Sequence, residues 1–322
     1  MGSMYNRAEV VDQNFIRFVR EGHFPPPRTH LKLQDTSLRP EELIDLFESQ
    51  VISRHLDLRA RILKQDNQCF YTIGSSGHEG NVVFGKVFRK TDMAFLHYRS
   101  GALMVQRSKQ LPGSTPIYDL MLSFVASTDD PIAGGRHKVF GSLPLLVPPQ
   151  TSTIASHLPT SVGAALSVGR CKDLGVPSVM PPDSVVICSF GDASANHASA
   201  LSAFNTASWA AYQNINMPIV FICEDNRVGI SVPTAEKWIE RSFSHRPELH
   251  YIKCDGLSLL DTYIKAQQAE RFARLRKKPV FLHIETVRLL GHAGSDVEST
   301  YHPMQKIEAD EFAAQDKHLK EM

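Results

Sequence analysis

Cysteine is scarce in this sequence, and so is any excess of charge of one sign. The five cysteines, Cys69, Cys171, Cys188, Cys223 and Cys254, are odd in number and nowhere spaced as C-x-x-C. That pattern speaks against a disulfide framework or a zinc site. Three of the five fall inside apolar runs, so buried thiols in a reducing compartment are expected. Lys and Arg number 35 against 34 Asp and Glu, a formal charge of +1. Without a field of one sign, neither nucleic acid nor an anionic membrane is an expected partner. No apolar run approaches the ~20 residues that span a bilayer. G-x-G is absent, and with it the dinucleotide fingerprint. The segment Gly80-Asn81-Val82-Val83-Phe84-Gly85-Lys86-Val87 comes near a P-loop, but it lacks the closing Ser or Thr, and its apolar middle reads as helix. His78-Glu79 has no second histidine at the zincin spacing, which excludes that metalloprotease motif.

What is present is an ordinary globular composition, 42% hydrophobic and 21% charged, over 322 residues. That length exceeds the roughly 250–300 residues at which a single core usually stops growing. One large α/β domain with extra segments, or two closely packed layers, would suit it. The opening Met1-Gly2-Ser3-Met4 has the form of a cloning scar, so a native targeting segment ahead of it would not be seen. Residues 1–39 read as an N-terminal arm, extended around Pro25-Pro26-Pro27, and residues 40–322 as the main domain. A helix is predicted from Pro40. Proline suits a first turn, Glu41 and Glu42 suit the positive end of the dipole, and Leu43, Leu46, Phe47, Ile52, Leu56 and Leu63 follow at helical intervals. Residues 70–160, rich in glycine and histidine, read as turns and short helices gathered around a ligand.

From Ser184 the pattern changes to apolar strands separated by helices. The runs are Val185–Phe190, Ile219–Cys223, Tyr251–Cys254 and Val280–Ile284. Such alternation predicts an α/β fold, a parallel sheet with helices on both faces. Ligands of these folds bind beyond the carboxyl ends of the strands. Two polar motifs fall there. Gly191-Asp192-Ala193-Ser194 closes one strand and opens a helix, where backbone N–H groups can take a phosphate. The helix dipole is worth only about 0.3–1 kcal/mol per charge, too little for a diphosphate, so a hard divalent cation with oxygen ligands is wanted. Asp192 offers a carboxylate. At the end of the next strand, Glu224-Asp225-Asn226-Arg227-Val228 offers the Asn226 amide oxygen and the Val228 carbonyl. Neighbouring parallel strands lie about 4.7–4.9 Å apart, near enough for both ends to reach one Mg2+. Taken alone, Gly-Asp after a strand is equally a common turn, and Asp a common helix cap.

These segments resemble the thiamine-diphosphate signature, Gly-Asp-Gly followed by Asn-Asn. The wider text, SFGDASANH and then FICEDNRVGIS, resembles the alpha subunits of pyruvate and branched-chain 2-oxo acid dehydrogenases, and most of all forms in which alpha- and beta-type halves are fused in one chain. Ala193 departs from the usual glycine and Asp225 from the first Asn. The Asp192-to-Asn226 interval, 226 − 192 = 34, is a few residues long, apparently from an insertion around Tyr212-Gln213-Asn214. The resemblance implies the thiamine-diphosphate-binding fold, with thiamine diphosphate and Mg2+ as cofactors. It further implies diphosphate binding by Tyr98 and Arg99, aminopyrimidine support by Ser152, and Ile154 as the wedge that bends the cofactor. For Arg99 the rival reading is a surface arginine, and for Ile154 a buried core residue. Gly134-Gly135-Arg136-His137-Lys138 resembles the family's glycine-basic loop, with a different histidine spacing. Gly291-His292-Ala293-Gly294-Ser295-Asp296 resembles the loop at the active-site mouth, which makes His292 the candidate catalytic residue; alternatively it orders its loop. Ala293 replaces the regulatory phosphoserine of the mitochondrial enzymes.

The function so implied is oxidative decarboxylation of a 2-oxo acid, branched-chain favoured, with the acyl group passed to a lipoyl domain. The glutamate that touches the pyrimidine belongs in this family to a beta-type half. No such half is found here, and the chain stops shortly after Glu308-Ala309-Asp310-Glu311, where family alpha chains continue. A beta-type partner in a hetero-tetramer is therefore expected, or a chain that lacks its C-terminal end; a homo-dimer would leave the site incomplete. A cytoplasmic location is favoured, the mitochondrial matrix if the source is eukaryotic. The alternatives are a non-oxidative enzyme of transketolase type and a non-catalytic scaffold that keeps the fold.

Overall fold

The computed structural model describes residues 6–22, 30–69, 72–136, 139–150 and 152–309. In chain order the helices are α1 (Arg7–Glu21), α2 (Pro40–Gln65), α3 (Val82–Val87), α4 (Gly101–Ser108), α5 (Pro116–Phe124), α6 (His157–Asp173), α7 (Ala198–Tyr212), α8 (Trp238–Phe243) and α9 (Leu259–Arg276). The strands are β1 (Ala94–Phe95), β2 (Val186–Gly191), β3 (Ile219–Asp225), β4 (Val228–Gly229), β5 (Val232–Pro233), β6 (His250–Asp255) and β7 (Val280–Glu285).

Five strands form one wholly parallel sheet in the order β1-β2-β3-β7-β6. Successive strand residues point to opposite faces, and each face has its own apolar cluster. Ile187, Val220, Ile222, Val280 and Leu282 meet Leu63, Phe84, Leu103 and Ala269 from α2, α3, α4 and α9. Val186, Cys188, Phe190, Phe221 and Phe281 meet Leu158 of α6, Phe204 of α7 and Phe243 of α8. Phe204 is the hub of this second face, edge-on to Phe221 and Phe243 at 5.0 Å and to Phe281 at 5.6 Å. Aromatic pairs in that geometry add to what burial alone contributes. The continuous apolar strands are thus explained as the sequence predicts: both faces are covered.

Strand register decides where the polar ends lie. Gly191 of β2 stands opposite Glu224 of β3, and Glu285 of β7 opposite both Asp225 and Asp255. The four long strands therefore finish level, and their polar last residues form one rim. The turn at Asn214 (φ 60°), in the suspected insertion, precedes β3, at the amino end of the strands and away from the rim. Extra length there leaves the rim where it is.

Two expectations need correction. The N-terminal arm is not extended over residues 7–21. It is the helix α1, closed by Gly22 in the left-handed conformation (φ 65°), with Ala8 and Val11 buried against Val287, Leu289 and Leu290. The Pro25–Pro27 run lies outside the described residues. The region 70–160 also contains a strand, β1, whose two residues pair with Ile187 and Cys188. Two residues are too few for any periodicity to reveal. The expected helix from Pro40 and the helical reading of Val82–Val87 both hold. None of the five cysteines forms a disulfide; Cys69, Cys188, Cys223 and Cys254 are buried and Cys171 is half-buried. Among the described residues no helix is long and apolar enough to cross a membrane.

Candidate thiamine-diphosphate site

At the carboxyl end of β2 the chain passes from Gly191 straight into a 3-10 turn, Asp192–Asn196. Asp192 is only 3% exposed, and its Oδ2 accepts the Thr234 hydroxyl at 2.5 Å. At the end of β3, Arg227 adopts φ 62° and turns the chain into the β4–β5 hairpin. The Val228 N–H donates to Asn226 Oδ1 at 2.9 Å, and the Thr234 N–H to the Arg227 carbonyl at 2.9 Å. The two strand ends touch. A Cβ on Gly229 would stand 2.8 Å from that of Ala193, so the hairpin needs glycine at 229 to lie against the 3-10 turn. Thr234 links the two ends, its hydroxyl on Asp192 and its N–H on the Arg227 carbonyl, between Asn226 and Val228 in sequence.

Electrostatics at this end suit a cation. Burial raises the pKa of Asp192, and the charge of Asp225 adds to the effect against the opposing hydrogen bond from Thr234. A divalent ion would relieve both. Asp225 is not part of the oxygen set. Its Oδ2 accepts His283 Nε2–H at 2.9 Å, and the Tyr251 hydroxyl lies 2.6 Å from His283 Nδ1. Burial of Asp225 works the other way, but the hydrogen bond and charge of His283 outweigh it and its pKa is lowered. Among the described residues no three His, Cys, Asp or Glu side chains group as a metal site. A cation here would rest on one carboxylate, one amide oxygen and one carbonyl, with the rest of its shell from diphosphate and water.

The other wall leaves β1. Arg99 is buried, donating through Nη1 to the Gly74 carbonyl at 2.6 Å and through Nη2 to the His292 carbonyl at 2.9 Å. It is no surface arginine. Its guanidinium carbon lies 5.2 Å from the Tyr98 ring centre, and the Tyr98 and His292 rings stand edge-on at 6.2 Å. Tyr98, Arg99 and His292 are thus one group. Asn81 ties the two walls, its Nδ2 donating to the Arg99 carbonyl at 3.1 Å and reaching Glu224 Oε2 at 3.4 Å. His97 is 4% exposed, neither ring nitrogen has a partner among the described residues, and its Nε2 faces Gly191. Burial, reinforced by the charge of Arg99, takes its pKa well down, so the ring is neutral. Buried polar atoms left unpaired at a strand end are what a cavity for a polar ligand provides. Ile154 is 41% exposed and hence not a core residue, while Ala155 beside it takes φ 61°. The next helix is pinned to β2 by His157 Nε2–H donating to the Ser189 carbonyl at 2.8 Å. Arg136 of the glycine-basic loop is exposed and donates to its own Ala133 carbonyl; His137 and Lys138 lie outside the described residues. These features fit thiamine diphosphate with a divalent cation.

A sequence profile of the dehydrogenase E1 component family matches residues 48–321. The chain belongs to that family. It is 24% identical over 279 residues to the mitochondrial 2-oxoisovalerate dehydrogenase subunit alpha of Mus musculus, covering 85% of this chain and 59% of that protein. To the 2-oxoisovalerate dehydrogenase subunit alpha of Bacillus subtilis it is 25% identical over 283 residues, covering 85% of this chain and 79% of that one. In fold it resembles transketolase from Campylobacter jejuni, with a TM-score of 0.52 and 14% identity over 78% of this chain and 39% of that chain. As an E1 component its likeness runs to the alpha side, and its parallel sheet is of the thiamine-diphosphate-binding type.

In this E1 chain the residues that sequence reasoning missed are His78, Asn81, His97, Glu224 and Thr234. One signal was available for Glu224: a carboxylate directly after the apolar run Ile219–Cys223 has to find donors or stay charged in a buried place. It has two at 2.6 Å, the Ser189 hydroxyl and His78 Nδ1–H. The others depend on long-range approach. His292 has a testable titration. Its pKa is brought down from 6.5 to about 4, by burial first and then by the charges of Arg99 and Arg288. An unfolded chain takes up that proton near 6.5, the folded one only near 4. Its contribution to stability is therefore full above the first value, falls as pH drops through this window, and levels off below the second. Denaturant midpoints measured from pH 7 to 4 should fall less for His292→Gln than for the parent chain. Equal falls would remove the assignment.

Proposed function

We propose that this chain is the alpha-type half of a 2-oxo acid dehydrogenase that uses thiamine diphosphate and Mg2+. In this reading it acts on a branched-chain 2-oxo acid beside a beta-type half and delivers the acyl group to a lipoyl domain. The proposal is supported by the level ends of β2 and β3, where Thr234 of the hairpin after Asn226 and Val228 bonds Asp192, and by the grouping of Tyr98 and Arg99 with His292. The names of the alpha-subunit relatives support the substrate class and the need for a partner. The transketolase likeness concerns the fold alone.

Asp192, Asn226 and the Val228 carbonyl would hold Mg2+ against the diphosphate, flanked by the backbone N–H groups of Gly191, Ala193 and Ser194. Tyr98 and Arg99 would close the other side of the phosphates, Ser152 would support the pyrimidine, and Ile154 would press on the middle of the cofactor. Thiamine diphosphate, when bound, supplies the nucleophilic carbon and the electron sink that decarboxylation needs. His292 works as a donor. Arg99 Nη2 faces its Nδ1 at 3.3 Å, and a guanidinium only donates, so Nδ1 accepts and the neutral ring keeps its proton on Nε2. That Nε2–H can stabilise charge developing on the substrate oxygen, or protonate it.

The test is reconstitution with a beta-type half. Magnesium-dependent decarboxylation of a branched-chain 2-oxo acid with acylation of lipoamide is expected, and no transfer between sugar phosphates. Sugar-phosphate transfer without lipoamide acylation, or neither activity in a complex that binds the cofactor, would sink the proposal.

A further inference from the structure

Glu224, His78 and Asn226 form a hydrogen-bonded chain whose direction can be read from one end. The Val228 N–H donates to Asn226 Oδ1 at 2.9 Å, which turns the amide nitrogen toward His78 Nε2, 3.0 Å away. An amide nitrogen only donates, so Nε2 accepts and the imidazole proton sits on Nδ1. From there it is donated to Glu224 Oε2 at 2.6 Å, while the Ser189 hydroxyl takes Oε1. Every group facing the carboxylate is a donor, as a carboxylate requires. His78 and Glu224 are each 2% exposed, so no water competes for these bonds. The reversed amide would set its NH2 against the Val228 N–H, donor against donor.

We infer that His78, held by Glu224, is a positioning residue for the cation: it keeps the oxygen of Asn226, and not its NH2 group, turned toward the Val228 turn. The inference rests on the cation site proposed above. An amide can ligate a cation only through its oxygen, and its NH2 edge repels one. A freely rotating Asn226 would divide its time between the two. The relay removes the wrong orientation before any cation arrives, so this part of the site is set in advance.

The test measures Mn2+ binding to the full chain by electron paramagnetic resonance in the presence of thiamine diphosphate. His78→Phe keeps the ring shape and removes donor and acceptor. It is expected to weaken Mn2+ by about 10-fold or more, the range seen when an outer partner of a metal ligand is lost. His78→Gln, which has a donor and an acceptor, is expected to return most of that affinity. Asn226→Ala loses affinity too, and the double variant should lose no more than Asn226→Ala alone, because His78 acts only through that amide. A general structural role would make the two losses add and would not be rescued by glutamine. Independently of any variant, 15N spectra of labelled histidine should show His78 protonated at Nδ1. Wild-type affinity in His78→Phe, additive losses, or the opposite tautomer each overturn the relay. A parent chain that binds no Mn2+ under these conditions overturns the cation site itself, and the relay with it.

Discussion

Asp192→Asn is expected to weaken magnesium-dependent binding of thiamine diphosphate by at least about 100-fold. Loss of an outer partner of a metal ligand already lowers affinity by roughly 10–100-fold. Asp192 stands closer in: it is the one carboxylate in an oxygen set otherwise made of an amide and a carbonyl. The substitution keeps size and leaves an oxygen to accept the Thr234 hydroxyl now bonded to Oδ2. It also removes a charge that is buried and repelled by that of Asp225. Thermal stability without cofactor should therefore be unchanged or higher. Calorimetric titration with magnesium, with chelator, and with the variant reads the first effect, and a melting curve the second. Binding lost with stability kept identifies a ligand. A variant that binds like the parent would remove Asp192 from the site, and one that loses both would mean the residue serves the fold.

His292→Ala in a reconstituted complex is expected to lower turnover of the 2-oxo acid by about 10²–10⁴-fold, the usual contribution of a positioned proton donor. Cofactor affinity should stay close to that of the parent. The reason lies in how the loop is held. Arg99 Nη2 reaches the His292 carbonyl at 2.9 Å, and the His292 N–H donates to Asp296 Oδ2 at 2.8 Å. Both are main-chain contacts that alanine retains, so only the imidazole goes. A fall in kcat with KM and cofactor binding unmoved supports a role at the reacting atoms. A change in KM or cofactor binding alone, with kcat kept, would assign His292 to loop order.

The features legible in the sequence were those written locally. β2 and β3 are continuous apolar runs that stop at polar pairs, and the helix between them keeps them parallel, so the meeting of Asp192 with Asn226 followed from topology. The four-residue scale of a motif was also enough to bring out Tyr98, Arg99 and His292. What was illegible depended on chain segments far apart. His78 and Glu224 are 146 positions apart, and nothing near either residue announces the other. The N-terminal helix was hidden by the proline run after it, since its apolar partners, Val287, Leu289 and Leu290, come from the other end of the chain. Ile154 could not be placed inside or outside by type, because an isoleucine in a turn looks the same in sequence either way.

The burial of the thiols has a practical side. Thiolate is the species that reacts, so accessibility and acidity together decide which cysteine can be modified. Burial pushes the pKa of Cys188 up to about 12 and those of Cys223 and Cys254 well above their usual range. Cys69 is 4% exposed. Cys171 alone is half-buried, in the last turn of α6. Of the five cysteines of this chain, Cys171 is therefore the address for a maleimide dye or a spin label.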